Sequence, residues 1–268
     1  MHTAGRAAVT HGLGSGDWFR VGTENGRWEA GVGVAVVTGA GQGLGRAIAG
    51  RLADDGHHVV ALDIDAAKAE AAAADLKGDG YQCDVSDRAR VRALAEEIGP
   101  VQILVNNAGI WSYGPLIPAS DADIDRVLTV NMMGTLNCCR AFAPGMAASG
   151  GGAIVNMSSV AAASAATIVE AYPISKKAIE MITRQLAQEL GPDQIRVNCI
   201  GPGSMLTEGT APAYEGERKA QRAAMVPLRR VGTPLDIANA VGFLVSEQAS
   251  YISGQIIYVD GGVSAQTG

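Results

Sequence analysis

From Val32 onward, short unbroken apolar runs alternate with longer stretches whose apolar residues recur every three or four positions. The runs predict strands at Val32–Thr38, His58–Leu62, Tyr81–Cys83, Ile103–Asn106, Ala153–Met157, Ile195–Ile200 and Gln255–Val259. The periodic stretches predict helices at Gly43–Asp55, Ala66–Leu76, Asp87–Ile98, Asp121–Ala148, Glu170–Leu190 and Pro234–Ser246. Strands that are apolar along their whole length are buried on both faces, which is the habit of a parallel sheet covered by helices on each side. Seven such strands alternating with helices predict one α/β domain over 32–268, a doubly wound seven-stranded parallel sheet. There is no internal repeat, and too little chain follows the seventh strand for a separate substrate domain. Residues 1–31 lack periodicity and are dotted with glycine, yet carry Trp18, Phe19 and Trp28. They read as a poorly ordered tail or an extended start, with aromatics able to dock on the body or a neighbouring subunit.

Composition narrows the function. The 268 residues are 47% hydrophobic and carry a formal charge of −6, with no lysine or arginine run. That argues against a nucleic-acid footprint or an anionic membrane partner. No apolar run reaches membrane-spanning length, and no secretory leader is visible. Cys83, Cys138, Cys139 and Cys199 show no Cys-x-x-Cys spacing and read as reduced core residues of a cytoplasmic protein. His2, His11, His57 and His58 lie away from the motifs below. A histidine base or a histidine-held metal is therefore not expected.

The first strand runs into Thr38-Gly-Ala-Gly-Gln-Gly-Leu-Gly45. Gly39, Gly43 and Gly45 permit a tight turn and let the backbone approach a pyrophosphate, while the next helix offers its N-terminal N–H groups. Asp63 ends the second strand, where a carboxylate accepts hydrogen bonds from the adenosine ribose hydroxyls and repels a 2′-phosphate. Two like charges about 4 Å apart cost about 4 kcal/mol at an effective dielectric near 20. Gln42 and Ile64, the neighbours placed to offset that repulsion, are uncharged. The expected cofactor is NAD. Asp65 is the better candidate for the cap of the following helix.

Tyr172-Pro-Ile-Ser-Lys176 sets a phenol and an ammonium four residues apart on one helix face, and Ser159 follows the fifth strand. Reducing a carbonyl needs a proton donor at its oxygen, and oxidising an alcohol needs the same group as a base. A lysine cation close to the phenol would lower its pKa from about 10. Ser159 would stabilise the developing alkoxide. Pro173 disfavours helical backbone at Tyr172 unless Tyr172 opens the helix.

With these motifs in this order, the chain resembles the short-chain dehydrogenase/reductases from Val32 to Gly262. The matching residues are the loop at 38–45, Asp84-Val85, Asn106-Asn-Ala-Gly109, Asn131, Ser159, Tyr172, Lys176, Pro202-Gly203 with Thr207, and Tyr258-Val-Asp-Gly-Gly262. The resemblance implies a Rossmann-type dehydrogenase interconverting an alcohol and a ketone. Gly39, Gln42, Gly43, Leu44, Gly45 and Asp63 would line the dinucleotide, and Asp84 and Val85 the adenine. Asn107, Ala108 and Gly109 would line the cofactor, and Pro202, Gly203 and Thr207 its nicotinamide end. Lys176 would bind the nicotinamide ribose, and Asn131 would hold a water relaying protons to it. Family members are commonly homotetramers built through their long helices. Gln102 stands where the family usually has an acid, which touches a supporting hydrogen bond.

Segments 110–115, 160–171 and 203–226 should converge on the substrate, the last as a mobile lid. Trp111, Tyr113, Ile168, Met205 and Leu206 are its expected lining, with Trp111 serving either packing or substrate contact. Glu170 reads as solvated. The lining suits an apolar, uncharged alcohol or ketone. The alternative reading is a dinucleotide-binding regulator without chemistry. A sugar-nucleotide epimerase would need the missing substrate domain.

Overall fold

In the computed structural model, described for residues 33–163 and 169–266, the strands are β1 (Val34–Thr38), β2 (His58–Asp63), β3 (Asp79–Gln82), β4 (Ile103–Asn106), β5 (Gly152–Met157), β6 (Ile195–Pro202) and β7 (Ile256–Val259). All pair in parallel in the order β3-β2-β1-β4-β5-β6-β7. The helices are α1 (Gly43–Asp54), α2 (Ala66–Leu76), α3 (Arg88–Ile98), α4 (Asp121–Leu128), α5 (Gly134–Ala148), α6 (Tyr172–Leu190), α7 (Glu217–Met225) and α8 (Pro234–Val245). The expected single-domain, doubly wound sheet is present. The predicted tail, residues 1–31, lies outside the described residues, as does Ile168.

The two faces of the sheet carry separate cores. On one, Ala35, Val37, Ile103 and Val105 pack with Ile48 and Leu52 of α1 and Ile237 and Val241 of α8. On the other, Val36, Leu104 and Ile154 pack with Leu94 of α3 and Cys138, Cys139 and Phe142 of α5. Alternate residues of one strand thus serve opposite cores, so the strands read as apolar throughout. All four cysteines are free and buried. No helix among the described residues is long and apolar enough to cross a membrane.

Several elements differ from the sequence reading, and four of the differences have a local cause. β3 begins at Asp79 rather than Tyr81, because Val60 pairs with Asp79 and Asp63 with Gln82. Polar residues on this edge strand hid its start. The stretch 121–148 is not one helix: a π turn at Thr129–Met133 separates α4 from α5. Hydrophobic spacing does not register one extra residue in a turn. The helix expected from Glu170 begins at Tyr172, because Glu170 has φ +42° and cannot continue it. The segment 203–226, read as a mobile lid with no helix assigned to it, contains α7. Its charged residues, Glu217, Arg218, Lys219 and Arg222, are good helix formers as well as solvated ones.

Candidate active site

The carboxyl ends of β1, β4, β5 and β6 open into one cleft of about 1000 Å³. The strand order reverses between β1 and β4, and in open α/β sheets ligands bind at that point.

One half of the cleft is built from β1, β2 and β4. Gly39 and Gly43 have φ of +63° and +56°, a region that glycine enters without steric cost. A Cβ on Gly45 would lie 2.0 Å from the Gly39 carbonyl oxygen, so only glycine lets α1 start so close to β1. The Thr38 hydroxyl accepts from the amides of Asn107 and Ala108, each at 3.0 Å, and the Asn107 carboxamide donates to Thr38 O and Gly39 O. The ends of β1 and β4 are thereby locked together. Asp63, 9% exposed, accepts from the Gly41 amide at 2.9 Å and the Asp65 amide at 3.1 Å, one on each oxygen. Asp65 caps α2 as expected, accepting from the Lys68 amide. The Asp84 carboxylate is fixed by Ser86, and Asp84, Val85 and Ser86 line the far end of the cleft.

This half fits a dinucleotide. Its glycines leave a cradle that side chains would fill, its helix presents N–H groups, and a carboxylate with spare lone pairs stands at the end of β2. The Gly43 amide already donates to an anion, the Glu208 carboxylate, at 3.1 Å. Neither Glu208 nor Lys68, whose ammonium donates to Gln42 Oε1 at 2.8 Å, stands out in the sequence. Both are surface charges that only the fold brings to the cleft.

The other half holds Ser159, Tyr172 and Lys176, all in the cleft wall. Tyr172 is the first residue of α6, and Pro173 sits in the first turn, where no N–H is required. The tyrosine is therefore compatible with its proline. Burial pushes the pKa of its phenol upward, and the neighbouring Ser159 offsets only part of that shift. Lys176 is buried, and its Nζ donates to Met157 O at 2.9 Å and lies 5.5 Å from the Tyr172 ring centroid. Burial lowers its pKa to about 8. The expected depression of the phenol by the lysine is not seen. Both groups are desolvated, burial favours their neutral forms, and the ammonium lies toward the ring rather than paired with the hydroxyl oxygen. A Cβ on Gly109 would lie 3.3 Å from Lys176 Nζ and 3.2 Å from Asn131 Oδ1, so Gly109 leaves the space that both occupy.

Asn131 lies in the π turn, fully buried. Its side chain exchanges two 2.8 Å hydrogen bonds with the Ile110 backbone and donates to Ser175 Oγ at 3.0 Å. It pins the loop after β4 to α6. Behind the site, buried Glu180 accepts from the Tyr258 phenol, Ser158 and Lys177, tying the ends of β5 and β7 to α6. Gln102, standing where the family usually has an acid, accepts from the Val34 amide at 2.7 Å.

Trp111, Tyr113 and Met205 line the substrate side together with Val160, Val169 and Tyr214, while Pro202, Gly203 and Thr207 form the floor. Leu206 does not line the cleft; its amide bonds to Gly232 O, which holds the base of the 203–226 segment. Glu170 is not a solvated carboxylate. It accepts a hydrogen bond from Ser112, and its amide donates to Gly114 O, so it clasps the 110–115 loop beside Tyr172. Among the described residues no cluster of His, Cys, Asp or Glu is arranged to hold a metal.

Comparison with known proteins gives the family. A family model described as Enoyl-(Acyl carrier protein) reductase matches residues 39–264. An uncharacterized short-chain type dehydrogenase/reductase of Sinorhizobium fredii is 40% identical over 243 residues, covering 85% of this chain and 96% of the relative. D-threitol dehydrogenase of Mycolicibacterium smegmatis is 41% identical over 238 residues, covering 85% and 92%. The solved structure of a short-chain type dehydrogenase/reductase from Mycobacterium ulcerans superposes with a TM-score of 0.84 at 29% identity, covering 88% and 90%. Those relatives are oxidoreductases of a family that uses a nicotinamide dinucleotide, and the chain belongs to it, the short-chain dehydrogenase/reductases.

Proposed function

We propose that the chain is an NAD(H)-dependent dehydrogenase that interconverts a secondary alcohol and a ketone. The observation that carries this reading is the shared cleft. Tyr172, grouped with Ser159 and Lys176 in the cleft wall, lies at one end, and the amide-fixed carboxylate of Asp63 lies at the other.

A bound nicotinamide dinucleotide supplies the hydride acceptor or donor. Asp63 keeps a free lone pair on each oxygen for a ribose hydroxyl, and its charge disfavours a 2′-phosphate by roughly several hundredfold at contact distance. The loop Gly39–Gly45, with Gln42 and Leu44, holds the diphosphate. Asp84, Val85, Asn107, Ala108 and Gly109 line the path between, and Pro202, Gly203 and Thr207 support the nicotinamide end. Ser159 and Tyr172 hold the substrate oxygen. Tyr172 donates its phenolic proton to that oxygen in reduction and takes it back in oxidation. The Lys176 ammonium stabilises the phenolate left behind, and Ser159 stabilises the alkoxide. Asn131 keeps the Gly109–Ile110 backbone and α6 in register around Lys176.

The substrate side is lined by Trp111, Tyr113, Val160, Val169, Met205 and Tyr214, which suits an uncharged alcohol or ketone, and 203–226 acts as its lid. Exposed Ile174 and Met181 share a face of α6, which supports a homotetramer assembled through the long helices. Four free thiols suit a cytoplasmic setting. The test is a screen of secondary alcohols with NAD⁺ and NADP⁺ side by side. Turnover of at least one alcohol, faster with NAD⁺, is expected. Tight NADH binding with no turnover across the panel would favour a regulator instead.

A further inference from the structure

The face of α6 that carries Tyr172 and Lys176 continues as a buried polar stripe. Tyr172, Lys176, Glu180 and Thr183 recur at helical spacing, and the last three are buried. Thr183 has a plain structural task, accepting from the Asn156 carboxamide of β5 at 2.9 Å. Glu180 is harder to explain by stability. Its carboxylate is 2% exposed, and a charge at that depth is costly unless paired and hydrogen-bonded. Its cation is Lys177, whose Nζ donates to Oε2 at 2.8 Å from a side chain that stays 60% exposed. Two residues three apart on a helix can pair at the surface. The groups that hold this carboxylate inward are the Ser158 and Tyr258 hydroxyls, both donating to Oε1.

Each of those hydroxyls leads to a wall of the cleft. Ser158, just past β5, shares its proton between the Lys176 carbonyl at 3.1 Å and Glu180 Oε1 at 3.2 Å. Lys176 Nζ in turn donates to Met157 O at 2.9 Å. Residues 157 and 158 are thereby clamped to α6, and Ser159 is the next residue. Tyr258 of β7 stands opposite Gly201 of β6. A Cβ on Gly201 would lie 2.6 Å from Tyr258 Cε1, so only glycine lets the ring cross β6 and bring its hydroxyl to Glu180 Oε1 at 2.6 Å. Burial, and after it the hydrogen bond and charge of Glu180, push the Tyr258 pKa up, which keeps the phenol a donor. Gly201 runs directly into Pro202 and Gly203, which line the cleft.

We propose that Glu180 is a positioning residue for the reaction: through Ser158 it sets Ser159 against Tyr172, and through Tyr258 it sets the Pro202–Gly203 wall, so that one buried carboxylate fixes the proton-transfer group relative to the nicotinamide end. This rests on the dehydrogenase reading of the cleft. Glu180 does not line the cleft and touches neither substrate nor dinucleotide. Its loss therefore slows the chemical step and spares binding, because hydride transfer depends on small displacements of the reacting groups and affinity is spread over the whole cleft.

The experiment measures kcat, KM, the NADH dissociation constant and the primary deuterium isotope effect on hydride transfer, with an alcohol or ketone that the wild type turns over. The variants are Glu180→Leu, Glu180→Gln and Tyr258→Phe. Glu180→Leu should lower kcat about 100-fold, hold KM and the NADH constant within about threefold, and raise the isotope effect as hydride transfer becomes the slow step. Tyr258→Phe should move the same way by about tenfold, and Glu180→Gln, which keeps an acceptor for both hydroxyls, should return to within about fivefold of the wild type. A folded Glu180→Leu with wild-type kcat would overturn the proposal. So would a variant that loses NADH affinity and kcat in equal proportion, the mark of general loosening. Should Glu180→Leu not fold, Tyr258→Phe decides: an unchanged kcat and isotope effect there overturn the proposal. A wild type that turns over nothing would overturn the dehydrogenase reading and this proposal with it, whereas an active wild type beside unimpaired variants overturns the proposal alone.

Discussion

The two halves of the cleft are held in different ways. In the dinucleotide half, main-chain groups and buried polar side chains lock one another: Thr38 with Asn107 and Ala108, Asp63 with Gly41 and Asp65, Gly45 against Gly39. In the substrate half the lining is side chains on loops, with Trp111 42% and Tyr113 70% exposed, and those loops are tied to one another and to nearby segments by contacts such as Ser112–Glu170 and Leu206–Gly232. A cofactor shared by a whole family can be met by a fixed cradle. A substrate that differs from one relative to the next is met by parts whose replacement does not disturb the sheet. Tyr172, the proposed proton-transfer group, sits at the seam as the first residue of α6.

The sharpest way to break the contrast is to disturb the cradle. Gly45→Ala forces a methyl against the Gly39 carbonyl. It should cost about 3 kcal/mol or more of stability and abolish NADH binding, read by thermal melting and fluorescence titration. Normal binding by a folded Gly45→Ala would show that the cradle yields more than its contacts imply.

The seam gives a pH test. Burial holds the Lys176 pKa at about 8, below its value in the unfolded chain. Between those two values the unfolded chain binds more protons, so stability rises with pH across that window. Below pH 8 the buried charge costs about 3 kcal/mol. The kcat/KM for ketone reduction should fall as pH rises through about 8, as the free enzyme loses the cation that supports the phenolate. Lys176→Met should lose about 100-fold or more of activity at pH 7 with little change in Tm, since the removed charge penalty offsets the unpaired Met157 carbonyl. An alkaline limb absent up to pH 10 would contradict the lysine's role.

Smaller effects should separate the halves. Glu208 reaches from the 203–226 segment to the Gly43 amide, where a diphosphate would compete with it. Glu208→Gln should tighten NADH about two- to fivefold, since a neutral side chain is the weaker rival at a helix N-terminus. Trp111→Ala should change substrate KM by up to about tenfold and leave the NADH dissociation constant within a factor of two. A Trp111 variant that lost NADH affinity would mean that the halves are not independent.

The sequence displayed the fixed half more fully than the variable one, for a physical reason. Gly39, Gly43, Gly45 and Asp63 are local: each acts through backbone geometry or a strand end that hydrophobic spacing already marks. Tyr172, Lys176 and Ser159 were legible because the spacing i, i+4 survives any packing and Ser159 follows a strand directly. Lys68, Glu208 and Glu180 were not, because a surface lysine or glutamate acquires its partner only through tertiary folding. The electrostatics of Tyr172 and Lys176 went the other way from the pairwise expectation, because spacing shows proximity but not the burial that outweighs it. The π turn around Asn131 and the helix α7 were missed where apolar periodicity is interrupted by one residue or absent.

The most direct measurement compares two constants on the same sample of Tyr172→Phe: the dissociation constant of NADH and kcat with whichever alcohol the wild type turns over. An unchanged dissociation constant with kcat lowered about 1000-fold or more is the expected result. Retained turnover in a folded Tyr172→Phe that binds NADH normally would contradict the assignment of the proton to this phenol.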